Sequence, residues 1–251
     1  MRLHIIGKGA VGTATGEGFR RFGNEITYTD KGDDHNAVEA DIHFVCVPEH
    51  VVPEVVRGLV RPIPWTRETM GLIVVRSTVP PGTCAALADE LRRPILHNPE
   101  WLRESTAHQD FLNTDRVLLG WNFEEYKAST DPLLTLEELY EPFGAPIFRA
   151  FSTVTEMVKL LTNNHLAMLI SFWNEAKTLC DAARINSHAV ARLVALDKRV
   201  SLYGAVQHGA PYGGKCLPKD SSQLRTWAAE HAIPIPLLYA VHEINVSLGG
   251  A

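Results

Sequence analysis

The sequence contains few cysteines, no excess of positive charge and no long apolar run, and each of these absences excludes a class of protein. The four cysteines among 251 residues have no C-x-x-C spacing, which argues against a zinc site and against a disulfide framework. A formal net charge of −5 provides no basic surface for nucleic acid or for an anionic membrane. No segment is long and apolar enough to be a transmembrane helix.

The remaining composition is that of an ordinary globular protein. The eleven histidines form no pair with helical spacing, so we expect no metal site. The chain begins with an apolar strand at residues 2–6, which leaves no room for a signal peptide, and reduced thiols then fit a cytoplasmic protein best. With 45% apolar residues in a chain of 251, one large or two modest domains can form.

A glycine turn near the N-terminus is the first motif that indicates a function. Residues 7–12, Gly-Lys-Gly-Ala-Val-Gly, follow the strand and lead into a helix that extends to about Phe22. A second strand at residues 25–29 ends at Asp30, which completes the order of a Rossmann dinucleotide-binding unit. The glycines let the backbone approach a pyrophosphate at the helix N-terminus. The candidate cofactor residues in this unit are Gly7, Gly9, Ala10, Val11, Gly12 and Asp30.

Asp30 indicates which dinucleotide is bound. A carboxylate at this position accepts hydrogen bonds from the adenosine ribose and repels a 2′-phosphate. The sequence therefore favours NAD over NADP, although the neighbouring Lys31 weakens this preference. The alternative is a Rossmann fold that binds no nucleotide.

Strands and helices alternate through the rest of the N-terminal half. We predict strands at residues 42–47, 72–76, 94–97, 116–120 and 146–149, with helices at 50–61 and 82–92. This pattern indicates an α/β fold with a Rossmann-like, mainly parallel sheet, in which ligands bind at the carboxyl ends of the strands. We place this NAD-binding domain at residues 1–150 and a mostly helical central domain, carrying the reactive thiol and forming the dimer contact, at 151–251.

One long helix dominates the C-terminal half, which has no proline from Ser152 until Pro211. We expect this helix to continue past residue 180, a length that suggests a spine between domains or a dimer contact. Ser152 or Thr153 could cap its start, and Glu156, three residues after Thr153, has the spacing of a capping box. Shorter helices are predicted at 187–196, 219–231 and 235–247.

Lys159 and Asn163 lie four residues apart on the long helix and therefore share a face, which Asn164 extends. The functional interpretation is a cation and an amide that bind a reacting oxygen. The alternative is a solvated lysine next to a surface amide.

Cys216 is the candidate nucleophile. It lies at the centre of the run Tyr-Gly-Gly-Lys-Cys-Leu-Pro-Lys-Asp at residues 212–220. Lys215 and Lys219 favour the thiolate, and the glycines favour exposure of the sulfur; a buried, inert thiol is the alternative. The other three cysteines lie in apolar strand or helix patterns and are expected to be inert: Cys46, Cys84 and Cys180.

Six motifs follow one another along the whole chain: Gly7–Gly12, Ser77–Thr83, Asn98–Glu104, Lys159 with Asn163, Asp197–Arg199 and Tyr212–Asp220. Their residues and their order resemble the UDP-glucose/GDP-mannose dehydrogenase family, and the Asn-Pro-Glu motif and the short thiol-containing run look most like UDP-glucose 6-dehydrogenases. The resemblance implies a four-electron oxidation of a sugar C6 alcohol to a carboxylate, with two NAD used in turn.

The resemblance also implies roles for the residues that match the family's catalytic motifs. Cys216 would attack the intermediate aldehyde to form a thiohemiacetal and then a thioester. Lys159 would stabilise the developing oxyanion, and Asn163 would donate a hydrogen bond to the same oxygen. Asp220 would position the hydrolytic water or tune Lys159. Glu100, directly or through a water held with Thr78, would act as the acid and base.

Further roles implied by the resemblance concern binding. A sugar-nucleotide substrate and a homodimer through the long helix are the expected partners. The cofactor contacts in the second half of the site would come from Ser77, Thr78, Val79, Glu104 and Lys219. The substrate contacts would come from Glu100, Trp101, Leu102, Arg103, Glu104, Lys159, Asn163, Arg199 and residues 207–213, including Tyr212 and Gly213.

Each of these motifs also has an interpretation without function. Glu100 and Glu104 could face solvent at the start of a helix, and residues 77–83 could form only a turn that caps the next helix. Arg199 could pair with the nearby Asp197.

Three classes of function therefore remain: a nucleotide-sugar 6-dehydrogenase, a binding protein without turnover and a two-electron dehydrogenase. Family members continue into a second Rossmann-like domain, which we expect to begin about where this chain ends; the chain would then be a minimal enzyme, an enzyme completed by a partner or a second copy, or a nucleotide-binding protein without turnover. A two-electron dehydrogenase of the β-hydroxyacid type is the enzymatic alternative, and it would have no use for a reactive thiol.

Overall fold

The computed structural model describes residues 1–34, 38–60, 71–122 and 131–250. The chain forms two compact units, Met1–Met157 and Val158–Ala251, here called the sheet unit and the helical unit. The division falls within one continuous helix of 31 residues.

The sheet unit contains one sheet of seven strands in the order β2-β1-β3-β4-β5-β6-β7. Every neighbouring pair is parallel except β5 and β6, which are antiparallel and pair at His97 and Gly120. The mainly parallel α/β sheet predicted from the sequence is thus confirmed. The strands are β1 (Arg2–Ile6), β2 (Glu25–Thr29), β3 (Ile42–Val45), β4 (Leu72–Val75), β5 (Ile95–His97), β6 (Val117–Trp121) and β7 (Ile147–Phe151).

Helices cover both faces of this sheet because its central strands are apolar on both sides. On one face Phe19, Phe111 and Leu136 pack against Leu3 and Phe44. On the other face valines of α2 and Leu87 of α3 pack against the alternate residues of β3 and β4. The helices of the sheet unit are α1 (Ala10–Arg20), α2 (Val52–Leu59), α3 (Thr83–Leu91), α4 (Ala107–Leu112) and α5 (Pro132–Tyr140).

The sequence did not predict α4 or α5, and α2 is shorter than the predicted helix, whose last position, residue 61, lies outside the described residues. Asp131 begins α5 by accepting a hydrogen bond from the backbone N–H of Leu133, with Pro132 in the first turn. Both are standard helix-start signals, so this helix could have been recognised.

The long helix, α6 (Ser152–Ala182), is confirmed. Four further helices complete the helical unit: α7 (Ser187–Val194), α8 (Leu202–Gln207), α9 (Cys216–Glu230) and α10 (Pro236–Ser247). The sequence missed α8 and started α9 too late, at residue 219. Cys216 is therefore the first residue of a helix and not part of the preceding loop, and Pro218 is accommodated because the first turn of a helix tolerates proline.

The predicted capping box at the start of α6 is wrong. The Glu156 carboxylate does not return to its own helix but accepts backbone hydrogen bonds from Gly82 at 2.6 Å and Cys84 at 2.8 Å. It thus caps α3, which has no side-chain cap of its own. Burial raises the pKa of Glu156, against the effect of these hydrogen bonds.

Candidate active site

The glycine turn between β1 and α1 has the geometry of an anion-binding site. Gly7 has φ +100°, and a Cβ on it would lie 2.4 Å from the Cys46 carbonyl oxygen. A Cβ on Gly12 would lie 1.9 Å from the carbonyl oxygen of Gly7. Both positions therefore require glycine. Gly9, in contrast, is exposed and has open space around it.

The first turn of α1 leaves its backbone N–H groups available to a ligand. Gly9 is the N-cap residue, provides no side-chain cap, and no acidic residue occupies the first turn. Lys8, Gly9 and Ala10 are exposed, and Val11 is half-buried. Because the initial N–H groups of a helix have no partner within it, this end suits a pyrophosphate. The residues present therefore fit a bound dinucleotide.

Asp30 lies beside this turn. Thr29 pairs with Ile6, and the backbone N–H of Gly7 donates to the Thr29 carbonyl at 2.9 Å, so the ends of β1 and β2 are adjacent. The Asp30 carboxylate is exposed and accepts a hydrogen bond from the backbone of Lys31 at 2.9 Å. Its place at the carboxyl end of β2 is the one predicted for a ribose-binding acid.

The loop after β4 begins with Ser77, whose hydroxyl donates to the Val47 carbonyl at 2.6 Å. Thr78 is half-buried. Val79 is packed in the core beneath the sheet, so only its backbone remains for contact with a cofactor. Gly82, at φ +94°, turns the chain into α3, where Glu156 holds it. The loop therefore has fixed ends at the carboxyl edge of the sheet.

Glu100 follows β5, next to the loop after β4, because the backbone N–H of Asn98 donates to the Val75 carbonyl at 2.8 Å. The Glu100 side chain is only 6% exposed and accepts a hydrogen bond from the backbone N–H of Leu102 at 2.6 Å. The interpretation of Glu100 as a solvent-facing acid is wrong. For Glu104, which is exposed at the start of a short 3₁₀ helix, the same interpretation matches its position.

A buried polar network that the sequence did not reveal lies under this segment. The Arg76 guanidinium donates to the Asn98 side-chain oxygen and to the Tyr140 hydroxyl, the latter at 2.6 Å. Asn98 in turn donates to the Leu118 carbonyl at 2.8 Å. The sequence signal for this network is an arginine directly after the apolar residues of β4, since a buried cation needs partners.

Trp101 and Arg103, two of the predicted substrate residues, contact side chains of the sheet unit. The Arg116 guanidinium lies 3.9 Å from the centre of the Trp101 ring. Arg103 forms an ion pair with Asp110 at 2.6 Å, and its hydrogen bonds hold the pKa of the Asp110 carboxyl well below its usual range.

In the helical unit, Lys159, Asn163 and Asp220 are all buried, with Lys159 4% and Asp220 1% exposed. The Asn163 side-chain N–H donates to one Asp220 oxygen at 2.5 Å, and the Lys219 ammonium lies 2.6 Å from the other. A solvated Lys159 with a surface amide is therefore excluded. Lys219, predicted to contact the cofactor, pairs with Asp220 in this structure.

Cys216 is exposed at the first position of α9. The N-cap residue, Lys215, provides no side-chain cap, and Gly213 and Gly214 before it have open space around them. A helix N-terminus and adjacent lysines favour a thiolate. The buried, inert interpretation of Cys216 is wrong.

The other three thiols are buried or half-buried, as expected for inert cysteines. Burial raises the pKa of the Cys46 thiol to about 12. Burial and the adjacent Glu156 raise the pKa of the Cys84 thiol well above its usual range. Cys180 is buried on α6.

Two predicted substrate residues have other partners. The Arg199 guanidinium pairs with the Asp197 carboxylate at 2.5 Å, which is the alternative interpretation of this motif. The Tyr212 ring is packed in the apolar core of the helical unit with Ala167 and Ile170, which leaves its backbone to face a ligand. Gly213 is exposed.

Within the described ranges, no group of three or more His, Cys, Asp or Glu side chains could hold a metal ion. None of the helices seen in the structure combines the length and apolarity needed to cross a bilayer.

Comparison with known proteins covers both units. Residues 33–144 match the NAD-binding domain of the UDP-glucose/GDP-mannose dehydrogenase family, and residues 153–247 match its central domain. The first match indicates NAD as the cofactor, in agreement with the glycine turn and Asp30. The cofactor prediction is thus confirmed at the level of the family.

The curated relatives support the same family assignment. UDP-glucose 6-dehydrogenase from Rickettsia conorii is 35% identical over 180 residues, which are 69% of this chain and 40% of the relative. UDP-glucose 6-dehydrogenase YwqF from Bacillus subtilis is 29% identical over 296 aligned positions, covering 98% of this chain and 66% of the relative. The chain thus spans about 40% of the length of the Rickettsia protein.

Among solved structures, a UDP-glucose dehydrogenase from Pyrobaculum islandicum superposes with a TM-score of 0.85 at 25% identity, covering 98% of this chain and 68% of that one. A GDP-mannose dehydrogenase from Pseudomonas aeruginosa has a TM-score of 0.66 at 25% identity, covering 99% and 69%. With both of these domain models matched and a curated relative 35% identical over 69% of its length, this chain belongs to the UDP-glucose/GDP-mannose dehydrogenase family.

Proposed function

We propose that this chain takes part in the NAD-dependent oxidation of a nucleotide sugar's C6 alcohol to a carboxylate, of the UDP-glucose to UDP-glucuronate type. The observation that carries the proposal is the exposure of Cys216 at an uncapped helix N-terminus. A buried Lys159 and the Asn163–Asp220 pair in the same unit support it. A two-electron alcohol dehydrogenase needs no such thiol.

The thiol is needed for the second oxidation, in which the aldehyde must form an adduct before it can lose a hydride. NAD bound at the glycine turn supplies a hydride acceptor for each of the two steps. The first oxidation converts the alcohol to an aldehyde. The Cys216 thiolate then adds to the carbonyl carbon, and the resulting thiohemiacetal can lose a second hydride to become a thioester. Water cleaves the C–S bond, which releases the carboxylate and restores the thiol. In total, one alcohol, two NAD⁺ and one water give one carboxylate, two NADH and three protons.

The buried polar groups of the helical unit act on the charge that develops during these steps. The Lys159 ammonium, which is held away from solvent, stabilises the oxyanion of the tetrahedral adduct. Asn163 contributes a donor to the same oxygen, while its contact with Asp220 fixes its orientation. Asp220 orients the attacking water and holds Lys219.

Glu100 moves the protons. Its buried carboxylate takes the proton from the alcohol and later from the attacking water, directly or through a water held with Thr78. Ser77, Thr78, Glu104 and the Val79 backbone line the cofactor side. The substrate side includes Trp101, Leu102, Arg103, Gly213 and the backbone of Tyr212, and Arg199 would exchange Asp197 for a substrate phosphate.

We extend the proposal to a homodimer formed through α6. Leu161, Phe172 and Leu179 are 50%, 58% and 73% exposed. Their spacings of eleven and seven residues place them within about 20° of one another around the helix. Such an apolar stripe is typical of a helix that packs against another surface. A reducing compartment, such as the cytoplasm, would keep the nucleophilic thiol reduced.

The experiment is an NADH absorbance assay over UDP-glucose, GDP-mannose and related nucleotide sugars, with Cys216→Ala as the control. We expect NADH formation with at least one of them and no sustained turnover by the variant. Sugar-nucleotide binding with no NADH from any of them would favour a binding module. Undiminished activity of Cys216→Ala, with one NADH per substrate, would favour a two-electron dehydrogenase.

A further inference from the structure

The segment that carries Cys216 runs antiparallel to α6 and contacts it at three levels. At its start, Gly209 and Ala210 lie against Asn174. In its middle, Tyr212 packs on the apolar face of α6. At its end, Asp220 lies against Asn163. The helix thus acts as a rigid support along the whole segment, which we call the thiol segment, residues 209–220.

Asn174 makes the first of these contacts with both atoms of its amide. Its side-chain oxygen accepts a hydrogen bond from the Gly209 backbone N–H at 2.7 Å, and its side-chain nitrogen donates to the Ala210 carbonyl at 2.8 Å. The side chain is buried, and Gly209 has φ +105°. This bidentate contact fixes the position and direction of the backbone where the thiol segment leaves α8.

An asparagine in the middle of a helix requires a reason, because asparagine is a poor helix former. Asn163 and Asn174 are eleven residues apart, so they lie on the same face of α6, about 16 Å from each other along its axis. One holds the end of the thiol segment and the other holds its start. The residue following the nucleophile, Leu217, packs against the same core cluster as Tyr212.

We propose that Asn174 is a positioning residue for Cys216. By clamping the backbone at Gly209 and Ala210, it sets the course of the thiol segment and thereby keeps the sulfur at the N-terminus of α9, between Lys215 and Lys219. The catalytic consequence rests on the proposed function. The structural consequence is a defined environment for the thiol, and it does not depend on the proposed function.

The test is the rate of iodoacetamide alkylation at Cys216, followed from pH 6 to 10 by mass mapping of the labelled peptide. With Asn174→Ala, we expect the rate at pH 7 to fall by about threefold or more and the midpoint to shift to higher pH, because the thiolate loses stabilising neighbours. Ser171→Ala is the matched control. Ser171 is also buried on α6 and also donates to a backbone carbonyl, that of Val241 at 3.2 Å, but this acceptor lies in α10 and not in the thiol segment.

A second variant covers the case in which Asn174→Ala does not fold. Asn174→Asp keeps the volume and the acceptor for Gly209 but places a carboxylate against the Ala210 carbonyl. We expect an intermediate loss of reactivity, with a thermal melt that still shows a folded protein. Where NADH turnover is measurable, kcat should fall while the KM for NAD stays unchanged.

If either folded variant shows the alkylation profile of the wild type, the proposal is wrong. A profile equally altered in Ser171→Ala would also overturn it, since the effect would then be general loosening of α6. An absence of NADH from the wild type would refute the proposed function alone, because alkylation does not depend on turnover.

Discussion

Each unit of this protein contains a glycine turn that leads into a helix without a side-chain cap, and each turn has a cysteine beside it. In the sheet unit the turn is packed so tightly that Gly7 and Gly12 have no room for a Cβ, and its neighbour Cys46 is largely shielded from solvent. In the helical unit Gly213 and Gly214 are surrounded by open space, and Cys216 is exposed.

The difference fits the different roles that we propose for the two turns. The first turn is fixed by packing, which suits a turn that presents backbone N–H groups to a phosphate without a side chain in the way. The second is held by Asn174 and the buried Tyr212, and it leaves the proposed nucleophile exposed. Substitutions should therefore affect the two turns in different ways.

The largest expected contrast is in thiol reactivity. At pH 8, iodoacetamide should label Cys216 at least about 100-fold faster than Cys46 or Cys84, because burial keeps the raised-pKa thiols protonated. Peptide mapping after a timed reaction measures this ratio. In urea all four cysteines should react at similar rates. Comparable labelling of Cys46 and Cys216 in the folded protein would contradict the account.

Gly12→Ala should cause the largest loss of stability. The new Cβ would meet the backbone carbonyl of Gly7, which cannot move away without distorting the turn. We expect a loss of about 3 kcal/mol or more, which corresponds to a Tm lower by about 6 °C or more. Thermal unfolding of Gly213→Ala, where the Cβ enters open space, is the control and should differ little from that of the wild type.

Gly9→Ala should separate binding from stability. Its Cβ meets nothing within 4 Å, so the Tm should not change. The methyl group would stand where the pyrophosphate approaches the helix, and the affinity for NAD should fall by about tenfold. Titration calorimetry with NAD measures it. Gly213→Ala should bind NAD like the wild type, and an unaltered affinity in Gly9→Ala would place the cofactor elsewhere.

Gly214→Ala should have the smallest effect. Gly214 has φ +74°, so alanine there carries a strain of about 1 kcal/mol, or a Tm shift of about 2–4 °C. Gly213→Ala, in the same turn but without the positive φ, should show none of this. Equal shifts in both variants would mean that crowding, and not backbone conformation, governs this turn.

Much of the sheet unit could be predicted because its signals are local. Strands at residues 2–6 and 25–29 were predicted with the bounds that the structure gives, because a glycine turn follows the first strand and an acidic residue follows the second. The start of α9 lies three residues before the predicted one, because proline is compatible with a first helical turn and Pro218 therefore does not delay the helix.

The contacts that order the site could not be predicted. Glu156 has the spacing of a capping box, but it caps α3, which is more than 70 residues away in the sequence. Asn174 shows only as a poor helix former within a helix, and its partners lie about 35 residues further on. Such long-range hydrogen bonds leave no periodic pattern, so only the folded structure reveals them.

The most direct test of the central claim is the number of NADH molecules formed per nucleotide sugar consumed, in the wild type and in Cys216→Ala. We predict two for the wild type and no more than one for the variant, because the second oxidation needs a thiol adduct. Two NADH from Cys216→Ala, or a single NADH from the wild type, would contradict the account.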